Sequence, residues 1–64
     1  MCEFVVYLDE KDGTRKEVAR NIVVAKKRKE TLYLMDAFGS TTTVKNATVT
    51  DVNTMTQELI LVSD

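Results

Sequence analysis

The sequence predicts an all-β fold, a small barrel or sandwich, on three observations. Short runs rich in Val, Ile, Leu, Thr, Phe and Tyr recur at about ten-residue spacing. Turn-forming residues separate them, and the two glycines of the chain both fall where a reversal is wanted. There is no proline, no repeat and no low-complexity tract to mark a linker, so residues 1–64 read as one domain.

The first run, Cys2 to Leu8, puts Cys2, Phe4, Val6 and Leu8 on one face and Glu3, Val5 and Tyr7 on the other. Both faces are largely apolar, which predicts a strand buried on both sides or placed at a subunit contact. Asp9 to Thr14 is a polar turn, and its Asp12-Gly13 pair is a hairpin signal because both residues tolerate positive φ. Arg15 to Ala19 is the returning strand. Asn21 to Lys27 follows with Ile22, Val23 and Val24. A helix over Glu17 to Lys29 competes here, with Val18, Ile22 and Ala25 on one stripe. Against it stand the β-branched cluster and the lack of a capping residue. Thr31 to Met35 is the clearest central strand. A turn at Asp36 to Ser40, a Thr-rich strand at Thr41 to Val44, an alternating strand at Ala47 to Val52 and a final strand at Glu58 to Val62 complete the count at six or seven.

At 64 residues the chain buries only about 60% of its unfolded surface, so it needs a good core, a metal or a partner chain. A hydrophobic fraction of 44% makes the core plausible and disorder untenable. An internal disulfide is excluded, because Cys2 is the only cysteine. No segment reaches the roughly 20 apolar residues of a membrane span, and the N-terminus lacks the pattern of a secretory signal. The expected location is the cytoplasm, where an unpaired cysteine is at home. The glycosylation sequon Asn46-Ala47-Thr48 then has no meaning.

Catalysis is not expected. The chain has no histidine, which removes Ser-His-Asp and Cys-His nucleophiles. Two glycines cannot build a phosphate loop. The carboxylates show no spacing suited to acid/base work. Two features remain. Lys26, Lys27, Arg28 and Lys29 hold four of the nine basic residues in a chain of net charge −1. They are either the solvated end of a hairpin, protecting an edge, or a contact for RNA phosphates. For RNA, stacking aromatics are wanted beside the charges. Only Phe4, Tyr7, Tyr33 and Phe38 are available, and most lie in apolar runs.

Cys2 is the second feature. A strand cysteine is most often a small buried hydrophobe. At position 2, however, its thiolate stands beside its own backbone nitrogen, and the pair makes a five-membered chelate ring on a metal. Two such chelates give a four-coordinate sulfur/nitrogen set, which suits nickel(II) or copper(II). One chain supplies half the ligands, so this reading requires a two-fold homodimer.

The sequence resembles the CooT-like small nickel-binding proteins, whose namesake assists nickel insertion into carbon monoxide dehydrogenase. The resemblance rests on Met1-Cys2 at the start, on EFVVYLDEKDG with its Asp-Gly turn, on LYLMDAFG (Leu32 to Gly39) and on VTDVNTMTQELILV (Val49 to Val62). The chain departs from the pattern at Ala37 and in the basic run. The resemblance implies a partly open, antiparallel SH3/Sm-like barrel and a cytoplasmic homodimer. It also implies one nickel(II) per dimer held through Cys2 of both chains, and a client nickel enzyme. Such proteins have also been described as RNA-binding, and the barrel is shared with Sm-like RNA binders. That keeps Lys26 to Lys29 as the alternative site.

Overall fold

A computed structural model describes residues 3–64. It is all β. Six strands follow one another: β1 (Phe4–Asp9), β2 (Arg15–Arg28), β3 (Thr31–Asp36), β4 (Thr41–Lys45), β5 (Ala47–Asn53) and β6 (Glu58–Ser63). They form one sheet in the order β4-β3-β2-β1-β6-β5. All neighbouring pairs are antiparallel except β1 and β6, which run parallel from Val5↔Glu58 to Asp9↔Val62. The predicted inclusion of Cys2 in the first strand lies outside the described residues.

The sheet curls because its two edge strands are consecutive in the chain. β4 ends at Lys45 and β5 begins at Ala47. Asn46 alone joins them, with φ at 57°. Asparagine tolerates this left-handed conformation better than other side-chain-bearing residues. The Asn46 N–H donates to Glu30 O at 2.8 Å, and the Asp64 N–H donates to Asn46 O at 2.8 Å. The two edges therefore meet at one corner without forming a ladder, and the result is a small, partly open barrel. Inward-facing Val6, Ile22, Leu32, Leu34, Ala47, Leu59 and Leu61 make the core.

The two strands expected at Arg15–Ala19 and Asn21–Lys27 are one 14-residue strand. No glycine or proline interrupts it. Instead Asn21, at φ 59°, bends the strand without ending it. Irregularities in both ladders fall close by, so the first half pairs with β1 and the second with β3. The competing helix is absent; Arg15–Arg28 is strand.

Two turns share one design. In Glu10–Thr14 the Glu10 N–H donates to Thr14 O and the Gly13 N–H to Glu10 O; in Asp36–Ser40 the Asp36 N–H donates to Ser40 O and the Gly39 N–H to Asp36 O. Each has a glycine at the fourth position, at φ 93° and 91°. Asp12 does not share the positive φ expected of it. Its carboxylate accepts from the Thr14 N–H at 2.9 Å and the Thr14 hydroxyl at 2.7 Å. The loop is thus longer than a two-residue hairpin.

Candidate functional site

The pairing registers divide the barrel into two ends. Asp36 pairs with Ile22, Ile22 with Phe4, Val5 with Glu58, and Glu58 with Asn53. The start of β1, the Asp36–Ser40 turn and the connection from β5 to β6 therefore share one end. The Val5 N–H donates to Gln57 O at 2.9 Å, and Asn21 Nδ2 donates to the Glu3 carboxylate at 2.8 Å. These bonds tie down the strand that carries the N-terminus.

This end is apolar. Phe38, at the tip of one turn, is 93% exposed, and Met55, in the other, is 94% exposed. Asp36 Oδ1 accepts from the Phe38 and Ser40 N–H groups, while Asn53 Oδ1 accepts from those of Met55 and Thr56. Both tips are held in shape by a side chain at their base. A cleft of about 210 Å³ is lined by Phe4, Ile22, Val23, Ala25, Val52 and Leu59. Cys2, two residues before Phe4, is outside the described residues. Among those described, no three carboxylates, cysteines or histidines come together to hold a metal.

The basic run sits at the opposite end. Lys26, Lys27 and Arg28 finish β2, and Lys29, at φ 57°, opens the turn to β3. All four are exposed. Strand alternation splits them. Lys27 lies on the row of Leu32 and Val44, and its Nζ stands 3.2 Å from Thr48 Oγ1. Lys26 and Arg28 lie on the outer face, in register with Tyr33 and Thr31. Lys45, across β4, joins that face opposite Thr31. Sequence reasoning missed Lys45 and the exposure of Tyr33. Period-2 alternation in TLYLM would have found Tyr33, since buried Leu32 and Leu34 flank it.

The perturbed carboxylates lie elsewhere and have structural partners. Arg15 donates to Asp9 at 2.6 and 2.9 Å. That hydrogen bonding holds the Asp9 carboxyl below its ordinary range. Arg20 does the same for Glu17, and Thr14 does so for Asp12. Arg15 also stands 5.8 Å from the centre of the Tyr7 ring. No helix is long and apolar enough to cross a membrane.

A family model described as CO dehydrogenase accessory protein CooT matches residues 1–62. No curated protein matches the chain.

Proposed function

This chain belongs to the CooT family of CO dehydrogenase accessory proteins, and from that premise we propose that it is a nickel(II) carrier or sensor, homodimeric and cytoplasmic, that holds one metal between two copies of Cys2. Its role is accessory rather than catalytic. Beyond the family membership, one observation carries the reading: Cys2 is the sole cysteine in a chain without histidine. It is the only strong soft donor the chain has, because thioethers are weaker ligands for nickel(II). Thiolate and neighbouring backbone nitrogen chelate from each chain, and two chains complete four positions.

The geometry around Phe4 supports a shared site. Two residues of extended chain reach at most about 7 Å. For two Cys2 sulfurs to meet on one ion, the two N-terminal barrel ends must come together. Phe38, Val52 and Met55 are exposed at that end, where a second copy would cover apolar surface that otherwise faces water.

The test is a nickel(II) titration followed by thiolate-to-metal charge-transfer absorption, with mass in solution measured alongside. One metal per two chains is expected, and Cys2→Ser should fold normally and lose nickel. A stoichiometry of one metal per chain, or full nickel affinity in the serine variant, overturns the reading.

A further inference from the structure

We propose that the free edge of β4 binds an extended segment of another protein as an added strand, and that this segment alternates apolar and acidic residues. β4 has one neighbour in the sheet, β3. Their register runs without interruption from Thr31↔Lys45 to Met35↔Thr41. Directly beyond its two ends, the Asn46 N–H donates to Glu30 O and the Asp36 N–H donates to Ser40 O. Hydrogen-bonded pairs alternate along an antiparallel ladder. Glu30–Asn46 and Asp36–Ser40 thus fix the bonded pairs between them as Leu32–Val44 and Leu34–Thr42. Thr41, Thr43 and Lys45 turn their N–H and C=O groups the other way, toward the open edge. No turn or loop bond among the described residues takes these groups. They form a row of three donors and three acceptors, the pattern that strand addition to a sheet edge uses.

The two edges of the sheet differ. In β5 the ladder shifts between Val49 and Asp51, and Thr50, at the shift, donates its hydroxyl to Ile60 O at 3.4 Å. Such an irregularity twists an edge away from new partners, and the Asp51 charge beside it acts in the same sense. β4 has no bulge, glycine or proline between Thr41 and Lys45. Its three consecutive threonines suit the extended conformation and are exposed. Lys45, its one charge, stands at the end of the strand. There it sets the register of an added strand more than it blocks one.

The two faces of β4 select the partner's chemistry. An added strand lays one row of side chains beside Thr42 and Val44 and the other beside Thr41, Thr43 and Lys45. The first row borders the core. Val44 is half-buried and packs against it, so apolar residues in that row extend the buried surface. The second row borders the outer face, which is graded. Next in register to Thr41 are Met35 and Val24, both half-buried; next to Thr43 are Tyr33 and Lys26; next to Lys45 are Thr31 and Arg28. Cations therefore collect toward Lys45. Glu30 and Asp64, whose backbones bond to Asn46, stand at this end too, but the ion pairs among the described residues are Arg15–Asp9 and Arg20–Glu17. An acid of the added strand opposite Lys45 supplies the partner that this cation lacks. A second copy fits the edge less well: pairing β4 with itself about Thr43 sets Lys45 opposite Thr41 and brings no acid.

The experiment titrates the full chain with a capped peptide of alternating valine and glutamate, VEVEVEV, and follows amide signals by NMR. Binding should shift the Thr41, Thr43 and Lys45 amides and slow their hydrogen exchange. A strand turns only every second amide toward a given neighbour. Of two N-methylated peptides, one blocked at its valines and one at its glutamates, one should bind and the other should lose about tenfold or more in affinity. Which one fails reports the direction of the added strand. Thr43→Pro removes a donor from the free edge and none from the ladder with β3, so it should keep the fold and lose binding. Lys45→Glu serves if the proline variant unfolds, and it should exchange the preference, favouring VKVKVKV over VEVEVEV. Circular dichroism checks the fold of both variants. Four results overturn the proposal. They are unmoved edge amides at saturating peptide, equal binding by the two methylated peptides, an unchanged charge preference in Lys45→Glu, and concentration-dependent shifts of the same amides without peptide. The last would mark a second copy as the occupant. None of these readouts involves Cys2 or nickel.

Discussion

Lys45 and Ala47 are two positions apart in the chain and belong to strands at opposite edges of the sheet. Everything that makes a barrel of this sheet passes through the single residue between them. Asn46 takes the left-handed conformation, donates to Glu30 and accepts from Asp64.

Asn46→Gly should therefore keep or slightly raise stability, because glycine adopts this φ freely. Asn46→Val should cost about 1 to 2 kcal/mol through the left-handed penalty of a branched side chain. Urea unfolding of the two variants separates the cases. Equal loss in both would mean that the Asn46 side chain, not its backbone, makes the corner.

The core is small, so each member counts heavily. Leu34 is fully buried in the cluster around Val6, Leu32 and Leu61. Leu34→Ala should cost about 2 to 5 kcal/mol from lost burial and the cavity left behind. In a domain of this size that is enough to leave much of the population unfolded at 25 °C. Amide signals in NMR should collapse to the unfolded range; a native spectrum would show that the cluster repacks.

Acid should weaken the β1–β2 hairpin. Asp9 and Glu17 are held below their ordinary range by hydrogen bonds from Arg15 and Arg20, and Asp12 by those from Thr14. A depressed carboxylate stabilises the fold fully above its unfolded pKa, and that contribution is lost as pH falls through the folded value. The loss should begin below about pH 5, and stability should be flat with respect to these groups near neutrality. Asp12 and Glu17 are exposed and Asp9 is only half-buried, so the effect is modest and screened by salt. Carboxyl titration by NMR should place the Asp9 midpoint below that of a free aspartate. A midpoint at the ordinary value would show that the Arg15 contact is absent in solution.

The exposed tips offer a test of the shared nickel site. Phe38→Asp with Met55→Asp should leave monomer stability nearly unchanged, since both side chains are more than nine-tenths exposed. It should reduce self-association by placing charge where two barrel ends meet. Sedimentation of apo protein gives the result. A dimer as strong as wild type would put the contact on another surface.

Much of this fold is legible in the sequence. Thr31–Asp36 and Glu58–Ser63 emerge almost as drawn, because their apolar residues alternate or run between strong turn signals. The unity of β2 is not legible. Asn21 reads as a break, but a left-handed asparagine within a paired strand only redirects it. The parallel pairing of β1 and β6 has no local signal either, since it depends on which strands the curl brings together. The candidate sites divide in the same way. Cys2 and the basic run are conspicuous as residue types. The partition of Lys26 and Arg28 from Lys27, and the recruitment of Lys45, are properties of register alone.

The pairing of β1 with β6 also sets the order in which the chain can fold. One of the two neighbours of β1 is local, but the other, β6, is not: Val5 and Glu58 are 53 positions apart in the chain. A nascent chain can form the β1–β2 and β2–β3 hairpins early, as these are local. It cannot bury Val6 against Leu59 and Leu61 until β6 docks on β1. Non-local pairing of this kind forms more slowly than the hairpins. The ladder that holds the start of β1 is thus a late part of the barrel to form, and a site built on that strand waits for the whole sheet.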